Sequence, residues 1–286
     1  MIIEIEDDFD LKKIMISGQC FRVKEVCEGV FLFVTGDHAL YIRKKEKASY
    51  EISCTRKEWE KVWASYFDLE RSYADIAESE YGKHEFSDRA IDFGRGLRIL
   101  KQDKWEMLIS FIISQRKSIP AISSAVESLS EKFGKKIELS KDAAKEISEW
   151  GVQDKCIYAF PTPEELSKAS MDDLMSCGLG YRAPYIKDAV DKVVSGELDL
   201  EEIASLDDEA LFDKLLEVHG VGKKVANCVL LFGYSRTARV PIDVWIARAI
   251  DEEFGGENIF PRFGENGGIV QQYIFYYEKN FPKLGE

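Results

Sequence analysis

Two side chains in the last third of the sequence are spaced so that they could do chemistry together. Lys224 follows a Gly-x-Gly turn made by Gly220 and Gly222, and Asp243 stands 19 residues later, directly before an apolar segment. A neutral lysine amine can attack a sugar carbon, and a rigid carboxylate can stabilise the positive charge that develops when a glycosidic bond breaks. The spacing predicts a nucleophile and a charge-stabilising partner.

The pattern around the lysine favours Lys224 over its neighbour Lys223. Lys224 and Cys228 are four residues apart in the predicted helix and share a face, whereas Lys223 pairs with Asn227 on another side. A free lysine has a pKa of about 10.4, and burial, nearby cations and a helix N-terminus all disfavour its ammonium form. The alternative is that both lysines are solvated surface residues.

The glycines and the aspartate also have structural explanations. Gly220 and Gly222 suit the end of a helix because glycine accepts a positive φ. Asp243 is a favoured N-cap for the helix that begins at Val244. Capping and catalysis are compatible, since a capping carboxylate is held rigidly.

The elements that must position these residues indicate an α+β protein. Residues 1 to about 55 alternate like strands of an antiparallel meander, and from Arg56 onward the apolar residues recur at helical spacing. We expect an N-terminal antiparallel sheet with its helices over residues 1–100, followed by an all-helical domain over residues 101–286.

Composition narrows the class of protein. The chain has 286 residues, a net charge of −13 and six cysteines without a Cys-x-x-Cys pair, so a zinc ribbon and charge-driven binding along a nucleic acid are disfavoured. A local DNA site remains open, because helix N-termini bind phosphates without adding net charge. Reduced thiols, no signal peptide and no membrane span predict a cytoplasmic protein, bound to the nucleoid if bacterial.

Five motifs in order resemble the 8-oxoguanine DNA glycosylase family of the helix-hairpin-helix (HhH-GPD) superfamily, and the chain is identified as a prokaryotic member. They are Ser17-Gly18-Gln19-Cys20-Phe21-Arg22, the stretch from Gly96 to Ile112, Gly178-Leu179-Gly180-Tyr181-Arg182-Ala183, the hairpin with Lys224 and Cys228, and Val240-Pro241-Ile242-Asp243. The resemblance implies a TBP-like N-terminal domain before the helical one. It also implies removal of 8-oxoguanine from duplex DNA, with an associated β-elimination (AP lyase) step.

The resemblance assigns roles to six pocket residues. Lys224 would attack C1′ of an extruded nucleotide and form a Schiff base, and Asp243 would stabilise the developing charge. The Gly18 carbonyl would accept a hydrogen bond from N7–H of 8-oxoguanine, a donor that guanine lacks. Base binding would fall to Cys228, Gln271 and Phe275. For Phe275 the alternative is a core aromatic of its helix.

Further residues would meet the DNA. The resemblance implies contacts from the hairpin glycines Gly220 and Gly222, and from Arg116, Tyr181, Arg182 and Trp245. Tyr181 alternatively begins an amphipathic helix. The predicted partner is duplex DNA containing 8-oxoguanine. The protein is expected to be a monomer and to have no membrane partner. No metal or cofactor is expected, apart from a monovalent cation at the hairpin carbonyls around Val218 and Val221 when DNA is bound.

The sequence departs from eukaryotic members at two places. Their Asn-Asn-Asn-x-x-Arg stretch reads the opposite cytosine, and here Arg116 takes the place of its first Asn and Ala121 that of its Arg. Trp245 stands where those members carry a phosphate-contacting His. Opposite-base reading and that phosphate contact are therefore expected to differ.

Two other functions remain possible from the sequence. An alkylated-base glycosylase of the same superfamily keeps the aspartate but lacks the hairpin lysine, so Lys224 argues against it. A non-catalytic helix-hairpin-helix module explains Gly220 and Gly222 but not Lys224, Asp243 and the base-pocket residues together. Iron–sulfur members are excluded because no cysteine follows Cys228.

Overall fold

The computed structural model describes residues 1–153 and 156–281. Within them, the strands are β1 Ile2–Glu4, β2 Val23–Cys27, β3 Val30–Thr35, β4 His38–Lys44, β5 Ser49–Ile52, β6 Lys136–Ile137 and β7 Ile157–Tyr158. The helices of the N-terminal region are α1 Leu11–Ile16, α2 Arg56–Glu58, a π-helical turn Trp59–Trp63, α3 Ala64–Tyr66, α4 Tyr73–Glu80 and α5 Glu85–Gly94.

The remaining helices follow in a nearly unbroken series. They are α6 Lys104–Ser114, α7 Ile119–Phe133, α8 Lys141–Glu149, α9 Pro163–Leu166, α10 Met171–Ser176, α11 Ala183–Val194, α12 Asp208–Leu216, α13 Lys223–Gly233, α14 Val244–Glu252 and α15 Gly267–Asn280. Short 3₁₀ turns precede or link some of them, at Gly180–Arg182, Glu202–Ser205 and Phe260–Asn266.

The N-terminal sheet is an antiparallel meander of β2, β3, β4 and β5, with β1 added beside β5. One face packs Phe33 and Leu40 against the aromatic residues of the α2–α3 segment. The other face packs Leu32 and Tyr41 against Trp150, at the end of α8. Because both faces are covered, β3 is buried along most of its length and lacks the polar side of a surface strand. The predicted α+β class is confirmed.

The largest core lies among the helices and spans the predicted boundary at residue 100. Helix α6 is buried along its length and packs against α13, the helix that carries Lys224. Helices α4 and α5, which precede the boundary, join this core, and α5 packs against α15. The two regions therefore share apolar packing, and α15 is fixed where it can reach the loop around Gly18.

Among the described residues no helix combines the length and apolar character that crossing a bilayer requires.

Candidate active site

The hairpin between α12 and α13 is built around Gly220. Its φ is +84°, and a Cβ at this position would lie 2.4 Å from Cγ of Tyr185, so any side chain would clash. The amide of Val221 donates to the carbonyl of Val218 at 3.0 Å, which closes the turn. Gln115 reaches across from the end of α6, and its Nε2 donates to the Gly220 carbonyl at 3.0 Å. This link was not predictable from the sequence.

Lys224 lies in the first turn of α13 and is half-buried, whereas Lys223 is exposed. The N-cap of α13 is Gly222, which has no side chain to satisfy the first amides of the helix. The Lys224 Nζ lies 5.1 Å from the centroid of the Phe111 ring, over an apolar surface. The predicted difference between the two lysines agrees with this placement.

Cys228 lies one turn beyond Lys224 on the same face and is buried. Burial raises the pKa of the Cys228 thiol, and the hydrogen bond and charge of Lys224 oppose that shift. The cysteine is therefore a neutral thiol beside an amine rather than a thiolate.

Asp243 is the N-cap of α14. One carboxylate oxygen accepts from the amides of Trp245 and Ile246, both at 3.0 Å. The carboxylate is half-buried and lines the same pocket as Lys224. Capping fixes its position while leaving its second oxygen free of these amides.

These residues meet in a pocket of about 320 Å³, counting its open mouth. Five separate parts of the chain converge there: the loop after α1, α6 through Phe111, one face of α13, the start of α14 and the middle of α15. All six residues predicted for catalysis and base binding line it, namely Gly18, Lys224, Cys228, Asp243, Gln271 and Phe275. The convergence of residues distant in sequence is the main feature of the site.

Gly18 is confined from two sides. Its φ is +78°, and a Cβ would lie 2.8 Å from Cδ1 of Ile119 and 3.2 Å from Cε1 of Phe275. Gln272 on α15 donates from Nε2 to the carbonyl of Ser17 at 2.7 Å, and buried Gln19 anchors the other side of the loop. The Gly18 backbone is thus held against the pocket wall.

Gln271 carries a buried acceptor that the described residues leave unpaired. Only 3% of the residue is exposed, and its Oε1 has no hydrogen-bond partner. A buried polar atom without a partner costs about 1–3 kcal/mol. Its place in the pocket wall points to a ligand that supplies the missing donor.

A larger apolar groove leads to the pocket. It encloses about 1700 Å³ including open solvent, and its walls include Ile242 and Val244, which are 38% and 79% exposed. Trp245 also lines it. The charged side chains along the groove are four cations and one carboxylate: Arg116, Lys117, Lys224, Lys279 and Asp243. The groove is locally positive in a chain whose net charge is −13.

The residues predicted to contact DNA outside the pocket divide into two groups. Arg116 is exposed with φ +51°, and Tyr181 is 52% exposed. Arg182 is buried, and its guanidinium donates to the carbonyls of Gln115 and Leu179. It supports the turn after α6 from beneath, so its predicted contact with DNA would require that guanidinium to leave its present partners.

Within residues 1–153 and 156–281, no group of three or more His, Cys, Asp or Glu side chains is placed to hold a metal ion. The six cysteines are free thiols. The monovalent cation at the carbonyls around Val218 and Val221 stays a prediction.

A helix-hairpin-helix that presents a half-buried lysine in the same pocket as a helix-capping aspartate is typical of a protein that acts on nucleic acid. Two family models match the chain. "8-oxoguanine DNA glycosylase, N-terminal domain" matches residues 1–108, and "HhH-GPD superfamily base excision DNA repair protein" matches residues 109–259.

Individual relatives are similar over nearly the whole chain. A protein of Methanothermobacter thermautotrophicus named "Probable N-glycosylase/DNA lyase" is 28% identical over 94% of this chain and 93% of its own. The structure of MBOgg1 with a low affinity DNA ligand has a TM-score of 0.89 and 36% identity, covering 99% of this chain and 96% of that one. The Clostridium acetobutylicum 8-oxoguanine glycosylase/lyase, bound to double-stranded DNA with cytosine opposite 8-oxoguanine, has a TM-score of 0.85 and 34% identity, with 97% of each chain covered.

The chain therefore belongs to the 8-oxoguanine DNA glycosylase family within the HhH-GPD superfamily of base excision DNA repair proteins.

Proposed function

We propose that this protein is a DNA glycosylase and AP lyase that removes 8-oxoguanine from duplex DNA. The observation that carries the proposal is the convergence of Gly18, Lys224, Cys228, Asp243, Gln271 and Phe275 in one pocket. The glycosidic carbon is inaccessible in a stacked duplex, so the nucleotide must be extruded into this pocket.

Lys224 is proposed as the nucleophile. Its amine forms a bond to C1′ while the bond from C1′ to the base nitrogen breaks, and the base leaves with that electron pair. The C1′–O4′ bond then breaks as the nitrogen lone pair forms the C=N bond of a Schiff base at C1′, and O4′ takes up the proton that the amine releases. Loss of a proton from C2′ allows elimination of the 3′ phosphate, which is the lyase step. Its half-buried position in the pocket, with Nζ 5.1 Å from the centroid of the Phe111 ring, puts the amine where an extruded sugar would enter.

Asp243 is proposed to stabilise the sugar as positive charge develops on it. A carboxylate fixed before the reaction costs no reorganisation when the charge forms. The two amides at the start of α14 hold Asp243 in that way. The same capping bonds explain why the aspartate keeps its orientation while the sugar moves.

The pocket walls are proposed to select the base. Phe275 and Cys228 would stack on its two faces, and Gln271 would pair with its Watson–Crick edge through the acceptor that now lacks a partner. The Gly18 carbonyl would accept from N7–H of 8-oxoguanine. Guanine presents a lone pair at that atom, so the same carbonyl would disfavour it.

The positive groove is proposed to hold the DNA backbone. Arg116 and Trp245 line it, and Gln115, another lining residue, contacts Tyr181 and the Gly220 carbonyl. The hairpin glycines Gly220 and Gly222 are proposed to present backbone amides to a phosphate. Arg182 is proposed to act there through the turn it supports. Because one chain supplies every pocket residue, we propose a monomer. We also propose a cytoplasmic, DNA-associated location, and a division into domains of residues 1–100 and 101–286.

The test is excision from matched duplexes containing 8-oxoguanine, guanine or an alkylated purine, each followed by borohydride reduction. We expect release of 8-oxoguanine and a covalent protein–DNA adduct, since reduction traps a Schiff base. Release of the alkylated base without an adduct would identify an alkylated-base glycosylase instead. Binding without release or adduct would identify a non-catalytic module.

A further inference from the structure

Lys279 is a cation in the groove wall that no motif of the sequence singled out. It lies one helical turn after Phe275 on α15, and its Nζ is 5.7 Å from the centroid of the Phe275 ring. It lines the groove together with Asp243 and Trp245. Its head group therefore lies at the mouth of the base pocket.

This lysine has no anionic partner in contact among the described residues. The adjacent carboxylate, Glu278, is paired with Arg248, whose guanidinium also covers the Trp245 ring at 4.7 Å. Burial lowers the pKa of Lys279, and the charge of Asp243 opposes that shift without forming an ion pair. A half-buried cation without a bonded anion is costly unless a ligand supplies one.

Two other cations of the groove already have a partner or a proposed role. Lys117 donates to the carbonyl of Gly178 at 2.6 Å, and Lys224 is the proposed nucleophile. Trp245, which lines the groove near Asp243, is uncharged and cannot pair with an anion. Arg116 and Lys279 remain as cations available to an anion in the groove.

We propose that Lys279 binds a backbone phosphate next to the extruded nucleotide. This proposal rests on the proposed function, because Phe275 and Asp243 define where the base and its sugar lie. With the base against Phe275 and C1′ near Asp243, the sugar–phosphate chain must pass the pocket mouth, where the ammonium group lies. A phosphate there supplies the anion that Lys279 lacks, and its charge keeps the lysine protonated.

The test uses a duplex with a tetrahydrofuran abasic analogue, which keeps the phosphates but puts no base against Phe275. Affinity is measured over a salt series for the wild-type protein, Lys279→Met, Lys279→Arg and the control Lys57→Met. Lys57 is an exposed lysine of α2 that has no ion pair among the described residues and lines neither the pocket nor the groove. We expect Lys279→Met to reduce the steepness of log K against log salt by about 0.9, the value of one phosphate contact. Lys279→Arg and Lys57→Met should keep the wild-type steepness.

The second arm places one neutral methylphosphonate at successive positions flanking the abasic analogue. At one position the wild-type protein should lose affinity, while Lys279→Met loses no more. An unchanged salt dependence in Lys279→Met, or the same difference between the two proteins at every position, would overturn the phosphate contact. Wild-type excision of 8-oxoguanine is measured separately. If it is present and the salt dependence is unchanged, only the Lys279 proposal fails. If excision is absent, the proposed function itself fails.

Discussion

Arg98 and Lys224 are both cations away from bulk water, yet their surroundings are opposite. Arg98 is fully buried and saturated: it donates to the carbonyls of Phe67, Asp8, Asp68 and Arg71, pairs with the Asp7 carboxylate at 2.7 Å, and stacks on Tyr73. Lys224 is half-buried and has no ion pair among the described residues. It contacts a thiol and an aromatic ring.

The difference distinguishes a polar group that holds the fold together from polar groups that are available to a ligand. Every hydrogen-bonding direction of Arg98 is used inside the protein, so the residue joins the N-terminus, the end of α3 and the approach to α6. Among the described residues, the pocket and the groove instead leave Lys224 and Lys279 without an anionic partner, and the Gln271 oxygen without a hydrogen bond. In the wall of the pocket, an unpaired polar atom offers a bond to a ligand, whereas the saturated guanidinium of Arg98 fixes the fold.

The largest expected effect is the loss of chemistry on replacing Lys224. Lys224→Gln keeps the size of the side chain but removes the nucleophile, so single-turnover excision should fall on the order of 10³-fold or more. DNA binding should remain. Lys223→Gln is the matched control, and it should change the rate by about two- to threefold at most, as for a surface substitution. If the two variants exchange these results, the nucleophile is Lys223.

Replacing Arg98 should lower the stability of the fold rather than the rate of the reaction. Arg98→Met leaves Asp7 and several carbonyls without their donor, so the free energy of unfolding should fall by about 3–5 kcal/mol. Denaturant unfolding measures this loss, with Arg95→Met as the control because Arg95 is more exposed. The folded fraction of Arg98→Met should still form the borohydride adduct. A stable variant that forms no adduct would place Arg98 in the reaction.

The fold class and the recognition of the family were predictable from sequence because their signals are local. Alternating residues gave the meander, and glycine placement gave the hairpin. The sequence could not indicate that Arg98 is a structural centre, since its partners come from four separate segments. The contact of Arg182 with DNA rests on the resemblance and stays a prediction, and the sequence could not indicate that this side chain is buried under the turn at Gln115.

The family resemblance predicted some residues of the site and missed others. Six site residues came from matching motifs, and the structure brings them together, but their roles remain proposals. Gln115 and Gln272 were missed as individual contributors because no periodicity marks a residue that acts across the molecule. Lys279, which lines the groove, was missed as well, although its helical spacing does mark it. A helical wheel of α15 would have found Lys279, which shares a face with Gln271 and Phe275.

A moderate effect is expected at Asp243. Asp243→Asn keeps a good cap but removes the negative charge, so excision should slow by about 10²-fold, equivalent to roughly 2.7 kcal/mol, with little change in folding. Asp207→Asn is the control, since Asp207 caps α12 in the same way and is exposed. Equal rates for the two variants would reduce Asp243 to a cap.

The smallest expected effect concerns the base opposite the lesion. Arg116 offers donors only, and Ala121 has no hydrogen-bonding side chain, so cytosine and adenine should be distinguished weakly. Single-turnover excision should be about tenfold slower opposite adenine than opposite cytosine, within the roughly 1–3 kcal/mol of one lost base contact. Arg116→Asn with Ala121→Arg should increase the preference for cytosine. A preference of several hundredfold in the unmodified protein would show that another residue reads the partner strand.

The most direct test of the account locates the covalent bond. The wild-type protein is reduced with borohydride on an 8-oxoguanine duplex, the DNA is digested, and the modified peptide is sequenced by mass spectrometry. The account predicts a sugar-derived mass on Lys224 and an unmodified Lys223 and Lys279. A modification at either of those lysines, or at the amino terminus, would contradict the assignment of Lys224 as the nucleophile.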